Sequence, residues 1–215
     1  MKRSLIFEYE AHFAVSHEPS GYETDIWLVL HGYGQLAEFF IRKFLPFDTK
    51  DRLVIAPEAT NYSYLKDFQG RVGANWMTKH EREVAIANNH RYLNLLMEEI
   101  LKNFKNLPKI HVLGFSQGAA TASRWASQWS GQVDTLVLWA GGFAHDLSLD
   151  LSKEKFEKTH LILAYGEQDE FIKDEHLLQQ NEWIKALGKS LITCSFQGGH
   201  ELEPQALEKI INLEL

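Results

Sequence analysis

Cysteine is almost absent from this chain. Cys194 is the only one in 215 residues, so no disulfide can close within it, and the sequence suits a reducing compartment, with the cytoplasm as the expected location. Long apolar runs are missing too. No stretch approaches the ~20 apolar residues of a membrane-spanning helix, and the early run Leu5-Ile6-Phe7 is cut by Glu8 and Glu10, short of the ~7–15 residues of a signal-peptide core. Neither membrane insertion nor secretion is expected. Basic residues are outnumbered, 22 Lys and Arg against 29 Asp and Glu, for a formal charge of -7. That balance argues against nucleic acid, whose binding needs clustered cations. No H-E-x-x-H or paired-histidine spacing appears, and His80-Glu81 lacks a second ligand at helical distance, so no metal is expected. Without a glycine-rich phosphate loop, no cofactor is expected either.

What remains has the make-up of an ordinary globular protein, 45% hydrophobic and 24% charged, and a length that suits one domain over residues 1–215. There is no internal repeat or low-complexity tract to mark a linker. Short runs of β-branched and aromatic residues alternate with segments of helical period, the pattern of an α/β fold with a mostly parallel sheet and helices on both faces. An opening hairpin is expected over Leu5–Tyr9 and His12–Ser16. Buried strands are expected at Ile26–Leu30, Leu53–Ala56, Ile110–Gly114, Thr135–Trp139, Leu161–Tyr165 and Leu191–Phe196. The helical candidates are Gln117–Trp129, Glu175–Leu187 and a long one over Glu81–Phe104, with Val84, Ala87, Leu95, Leu96, Ile100 and Phe104 facing the core. The stretch between Pro57 and Trp76 reads as a long irregular loop, a feature usually either functional or mobile, and is expected to shape the site.

Gly114-Phe115-Ser116-Gln117-Gly118 stands directly between a strand and the small-residue helix Ala119-Ala120-Thr121-Ala122. A serine on so tight a strand-to-helix turn needs glycine on both flanks and is left with an exposed hydroxyl, the setting of a hydrolase nucleophile. The hydroxyl is a weak nucleophile until a base takes its proton, and the base needs an acceptor on its other nitrogen. In α/β hydrolases the chain order is serine, acid, histidine. Of the four histidines after Ser116, His200 follows the last strand in Gln197-Gly198-Gly199-His200, where the glycines permit a turn over the sheet edge. The acid lies in the turn Gly166-Glu167-Gln168-Asp169-Glu170 at the carboxyl end of a strand, where ligands gather in open sheets. Spacing favours Asp169 and leaves Glu167, Glu170 and Asp174 as competitors. Backbone amides of Gln117 and of Tyr33, in His31-Gly32-Tyr33-Gly34, are the candidate oxyanion donors, and His31 reads as structural. Tyr62, Tyr64, Leu65 and Phe68, with Trp76 and Phe143, are the candidate substrate contacts. Cys194 reads as a small core residue.

Taken together, Leu30-His31-Gly32-Tyr33-Gly34, Ala56-Pro57, Gly114-Phe115-Ser116-Gln117-Gly118, Gly166-Glu167-Gln168-Asp169 with Ile172, and Gly199-His200 resemble the acyl-protein thioesterase, phospholipase and carboxylesterase family of small α/β hydrolases. The resemblance spans nearly the whole chain and implies that Asp169 is the triad acid. It also favours acyl esters, and so an esterase or thioesterase that forms an acyl-enzyme on Ser116, but the particular substrate does not carry over. The chain departs from the family's pattern where the acyl pocket is shaped: Glu58-Ala59-Thr60-Asn61 lacks the second Ala-Pro and the Pro-Val-Thr run, and Trp76-Met77-Thr78 replaces Trp-Phe-Asp. A peptidase on the same fold and a non-catalytic ligand-binding protein are the competing readings. A full serine, acid and histidine set speaks against the second. From Gly141 to Thr159 there is no room for a large cap, so an open site taking short to medium acyl chains is expected.

Overall fold

A computed structural model describes residues 2–213. After an extended start, the elements run β1 (Phe13–Val15), β2 (Asp25–Leu30), α1 (Ala37–Phe40), β3 (Arg52–Pro57), β4 (Asn61–Tyr64), β5 (Val72–Asn75), α2 (Arg82–Leu101) and β6 (Lys109–Phe115). Then come α3 (Gln117–Gln128), β7 (Thr135–Trp139), α4 (Leu149–Lys155), β8 (His160–Gly166), α5 (Asp174–Ala186), β9 (Leu191–Phe196) and α6 (Pro204–Ile211). Seven strands form one sheet in the order β1-β3-β2-β6-β7-β8-β9. Only β1 is antiparallel to its neighbour; the other pairings are parallel.

Alternation along the strands explains why both faces are covered. Ile26, Leu28, Leu30, Ile110, Val112, Leu136 and Leu138 point to one side, where they meet Leu93, Met97, Ala122, Trp125 and Ile184 of α2, α3 and α5. Trp27, Val29, Leu113, Phe115, Val137 and Trp139 point to the other, against Phe40 of α1 and Ala206, Leu207, Ile210 and Ile211 of α6. Among the described residues no helix is long and apolar enough to cross a membrane.

All six expected strands form, and five of them are buried; the sixth, Leu191–Phe196, is β9 at the sheet's edge, paired on one side alone, where Phe196 is buried and the rest of the strand is partly or fully exposed. Four further readings need correction. Leu5–Tyr9 forms no strand: β1 takes the edge of β3 through Phe13↔Pro57 to Val15↔Ile55, and Leu5 and Phe7 are exposed. The segment between Pro57 and Trp76 is not irregular, because β4 and β5 pair as an antiparallel hairpin. All four β4 residues are exposed, so no apolar alternation marks it in the sequence. On α2 the core line is Asn89, Leu93, Leu96, Met97 and Ile100; Val84, Ala87 and Leu95 face solvent. A polar residue sits on that line because Asn89 Nδ2 donates to the Trp76 carbonyl at 2.8 Å. Finally, α6 was not expected. Pro204 opens it, and the Glu203 carboxylate accepts from the amides of Gln205 and Ala206, a helix start that can be read only with the cap in view.

The turn leading into β2 is held by one buried carboxylate. Glu23 accepts from the amides of Ser20 (2.7 Å), Gly21 (2.9 Å) and Tyr22 (3.1 Å) and from the Ser20 hydroxyl (2.9 Å), with His17 Nε2 at 3.3 Å. Burial alone would raise its pKa, but these hydrogen bonds outweigh that and bring it from 4.5 down to about 2. A depressed carboxyl pKa stabilises the fold above the unfolded value, and that stability is lost as pH falls from 4.5 towards 2. At ~1.4 kcal/mol per pH unit the effect is up to about 3 kcal/mol. Glu23→Gln should therefore lower stability at pH 7 by an amount on the order of 2–3 kcal/mol and flatten the loss on acidification, as measured by urea unfolding at pH 7 and near pH 3. Equal acid sensitivity in the two proteins would contradict this account.

Candidate active site

Ser116 occupies the single residue between β6 and α3, with φ 54° and ψ -116°. A side chain rarely tolerates that backbone, and it persists only where the surroundings force it. They do so here by close packing. A Cβ on Gly114 would lie 2.3 Å from the Gly118 carbonyl oxygen, and one on Gly118 would lie 2.3 Å from that of Leu30. Both glycines therefore let β6, α3 and β2 approach one another without room for a methyl group. The Ser116 amide donates to the Trp139 carbonyl at 2.8 Å, tying the turn to the end of β7.

Two strands further along, β8 ends at Gly166 and delivers Asp169. Its side chain is fully buried. One carboxylate oxygen, Oδ1, accepts from the Phe171 amide at 2.9 Å, and the other, Oδ2, lies 2.8 Å from His200 Nδ1. His200 arrives from the turn after β9, which lies flush on the β8 turn: the amides of Glu167 and Gln168 donate to the carbonyls of Phe196 and Gly198, each at 2.9 Å. A Cβ on Gly166 would meet the Gly198 oxygen at 2.3 Å. Beneath the turn, the Trp139 indole N–H donates to the Glu201 carbonyl at 2.8 Å. The imidazole is flanked by Phe115 and Phe171, with ring centroids at 5.1 and 4.8 Å, and its Nε2 lies 2.9 Å from Ser116 Oγ. The tautomer that satisfies both contacts carries its proton on Nδ1, donating to Asp169, and leaves Nε2 free to accept from the serine.

The three expected residues thus meet in one hydrogen-bonded chain. Glu167 instead accepts from the Ser195 hydroxyl at 3.0 Å and from Gln197, while Glu170 and Asp174 are exposed. The two expected amide donors are also free of internal partners: among the described residues no acceptor engages the amide of Tyr33 or of Gln117. His31 is spent on structure. It is wholly buried, its Nδ1 donates to the Gly32 carbonyl at 2.7 Å and its Nε2 accepts from the Ala59 amide at 3.1 Å, and burial lowers its pKa.

The expected substrate contacts divide. Leu65 lies against the Tyr33 turn, since a Cβ on Gly34 would come within 2.9 Å of its Cδ2. Tyr62 and Tyr64 share the exposed hairpin with it, Tyr62 donating to Glu58 Oε1 at 2.8 Å. Phe68, at the hairpin tip, is 94% exposed. Trp76 and Phe143 are corrections. Trp76 is wholly buried and donates its indole N–H to the His31 carbonyl at 2.8 Å. Phe143 packs in the core with Phe156 and Trp183. Their aromatic character is used for packing, which a sequence alone does not separate from substrate contact.

Sequence reasoning passed over Phe171 beside His200, Trp139 beneath the His200 turn, and the side chain of Gln117. Phe171 carries a signal in being a large apolar residue two positions after the acid; the other two carry none outside the fold. A cleft of about 730 Å³ lies at the opposite edge of the sheet, lined by Asp25, Lys109, Asp134 and Lys158 where strands begin, and is remote from Ser116. Burial pushes the half-buried Cys194 thiol up, away from reactivity.

Comparison with known proteins places the fold. Solved structures of similar fold include acyl-protein thioesterase 2 of Zea mays, with a TM-score of 0.72 at 17% identity, covering 94% of this chain and 96% of that one. A phospholipase/carboxylesterase of Dyadobacter fermentans has a TM-score of 0.67 at 18% identity, covering 96% and 97%. The carboxylesterase of Bacillus cereus has a TM-score of 0.68 at 15% identity, covering 94% and 92%. No curated protein sequence matches the chain. The family model described as phospholipase/carboxylesterase matches residues 11–213, and the chain accordingly belongs to that family of α/β hydrolases, whose members are carboxylic ester hydrolases.

Proposed function

We propose that the chain hydrolyses carboxylic or thioesters of short to medium acyl chains through an acyl-enzyme on Ser116, within one domain. The observation that carries this reading is the unbroken relay Asp169–His200–Ser116, with contacts of 2.8 and 2.9 Å. As Ser116 Oγ attacks the ester carbonyl, its proton passes to His200 Nε2, and Asp169 steadies the imidazolium. The carbonyl oxygen, now an anion, is held by the amides of Tyr33 and Gln117. His200 returns the proton to the leaving alkoxide or thiolate, and a water then repeats the sequence on the acyl-enzyme.

Short acyl chains follow from the cover that is present. The exposed β4–β5 hairpin, with Tyr62, Tyr64 and Leu65, stands beside the Tyr33 turn. The connection from β7 to β8 holds just the seven-residue α4. Each buried methylene adds only about 0.8 kcal/mol, so an open groove gains over the first few carbons and then stops.

Asp169→Asn should fold yet lose about 10⁴-fold in kcat, because the histidine loses the acceptor that fixes its tautomer. Near-normal turnover would contradict the relay. In the wild type, kcat/KM should fall on the acid side, where an imidazolium cannot accept the serine proton. On a series of activated esters below their solubility limits, kcat/KM should peak at a short or medium acyl length. A continued rise to long chains, or a jump in rate at micelle formation, would show a deep or lidded pocket instead.

A further inference from the structure

The two oxyanion donors stand on separate elements: Tyr33 follows β2 and Gln117 opens α3. Among the described residues no hydrogen bond joins their two turns directly; β5 links them instead. On one flank of β5, the Gly34 amide donates to the Ala74 carbonyl at 2.8 Å, and the Ala74 amide donates to the Gln35 carbonyl at 3.1 Å. The approach is so close that a Cβ on Gly73 would lie 2.4 Å from the Gly34 oxygen. At the other end of β5, the Gln117 side chain grips the chain twice: its Oε1 accepts from the Trp76 amide at 2.8 Å and its Nε2 donates to the Met77 carbonyl at 2.9 Å. Between the two grips, the Trp76 indole donates to the His31 carbonyl at 2.8 Å, and Asn89 holds the Trp76 carbonyl at 2.8 Å.

From this we infer that the side chain of Gln117 is a positioning group for the reaction: it clamps β5 as a spacer that sets the separation of the Tyr33 and Gln117 amides. The inference rests on the acyl-transfer reading of Ser116 and deepens it. The physical reason is that the benefit of an oxyanion site lies in donors fixed before charge develops, and a displacement on the order of 1 Å forfeits much of it. A glutamine suits this task because its amide offers one acceptor and one donor side by side, matching the Trp76 N–H and the Met77 C=O. The ground-state ester carries little charge on its carbonyl oxygen, so loosening the clamp costs turnover more than binding.

The test uses the full chain and a p-nitrophenyl ester, with Ser116→Ala as the blank. Gln117→Met keeps the volume and removes both hydrogen bonds. It should lower kcat by about 10- to 100-fold while KM stays within about twofold, and affinity for a trifluoromethyl ketone, which forms a tetrahedral adduct with serine, should fall by the same factor as kcat. Gln117→Glu keeps the acceptor for Trp76 and loses the donor to Met77; it should show a smaller loss of the same KM-neutral kind and decides the matter if the methionine variant does not fold. Unchanged kcat in either folded variant, or a loss carried by KM with ketone affinity intact, overturns the positioning role alone. A wild type no faster than Ser116→Ala overturns the acyl-transfer reading and this inference with it.

Discussion

Everything at the site depends on the contact between the elbow and the strand beneath it. Gly118 lies so close to the Leu30 and His31 carbonyls that a Cβ would come within 2.3 and 2.6 Å of their oxygens. That contact presses the start of α3 onto the end of β2. It is what allows Ser116 to stay in the left-handed region at φ 54° and brings the Gln117 amide alongside the turn that carries Tyr33. A methyl group at Gly114 or Gly118 would have to displace backbone, which no rotamer change can relieve.

The rest of the arrangement is a matter of strand order. Placing β6 centrally, with β7, β8 and β9 following on one side, brings three turns to a single edge of the sheet. Register then does the positioning: Phe115 is level with Trp139, and Gly166 with Phe196. The turns of Ser116, Asp169 and His200 consequently start at nearly equal height. Adjacent turns are sewn together by backbone hydrogen bonds, Ser116 to Trp139, Ala140 to Ala164 and Glu167 to Phe196. No long side chain has to search for its partner, and little conformational entropy is lost in forming the relay.

Much of this was legible in the sequence because it is written in local chemistry. Glycine on both sides of Ser116, two glycines before His200, and apolar runs of strand length are each signals confined to a few residues. What was not legible is relational. Asn89 occupies a core position because it holds the carbonyl of Trp76, a partner that the sequence around Asn89 does not reveal; β4 has no apolar alternation because its partner, not its burial, makes it a strand; and Trp76 and Phe143 look like any aromatic until the core closes over them. Gln117 was picked for its amide, while its side chain acquires a role only once β5 is in place.

The central claim is that Ser116 is the activated nucleophile of this fold. Reaction with a fluorophosphonate probe, followed by digestion and mass spectrometry, addresses it directly, because such a probe is attacked only by a serine whose proton a base can take. The account predicts a single label, on the peptide containing Ser116, that disappears in His200→Ala. A folded protein that stays unlabelled, or that carries its label on another residue, would contradict it.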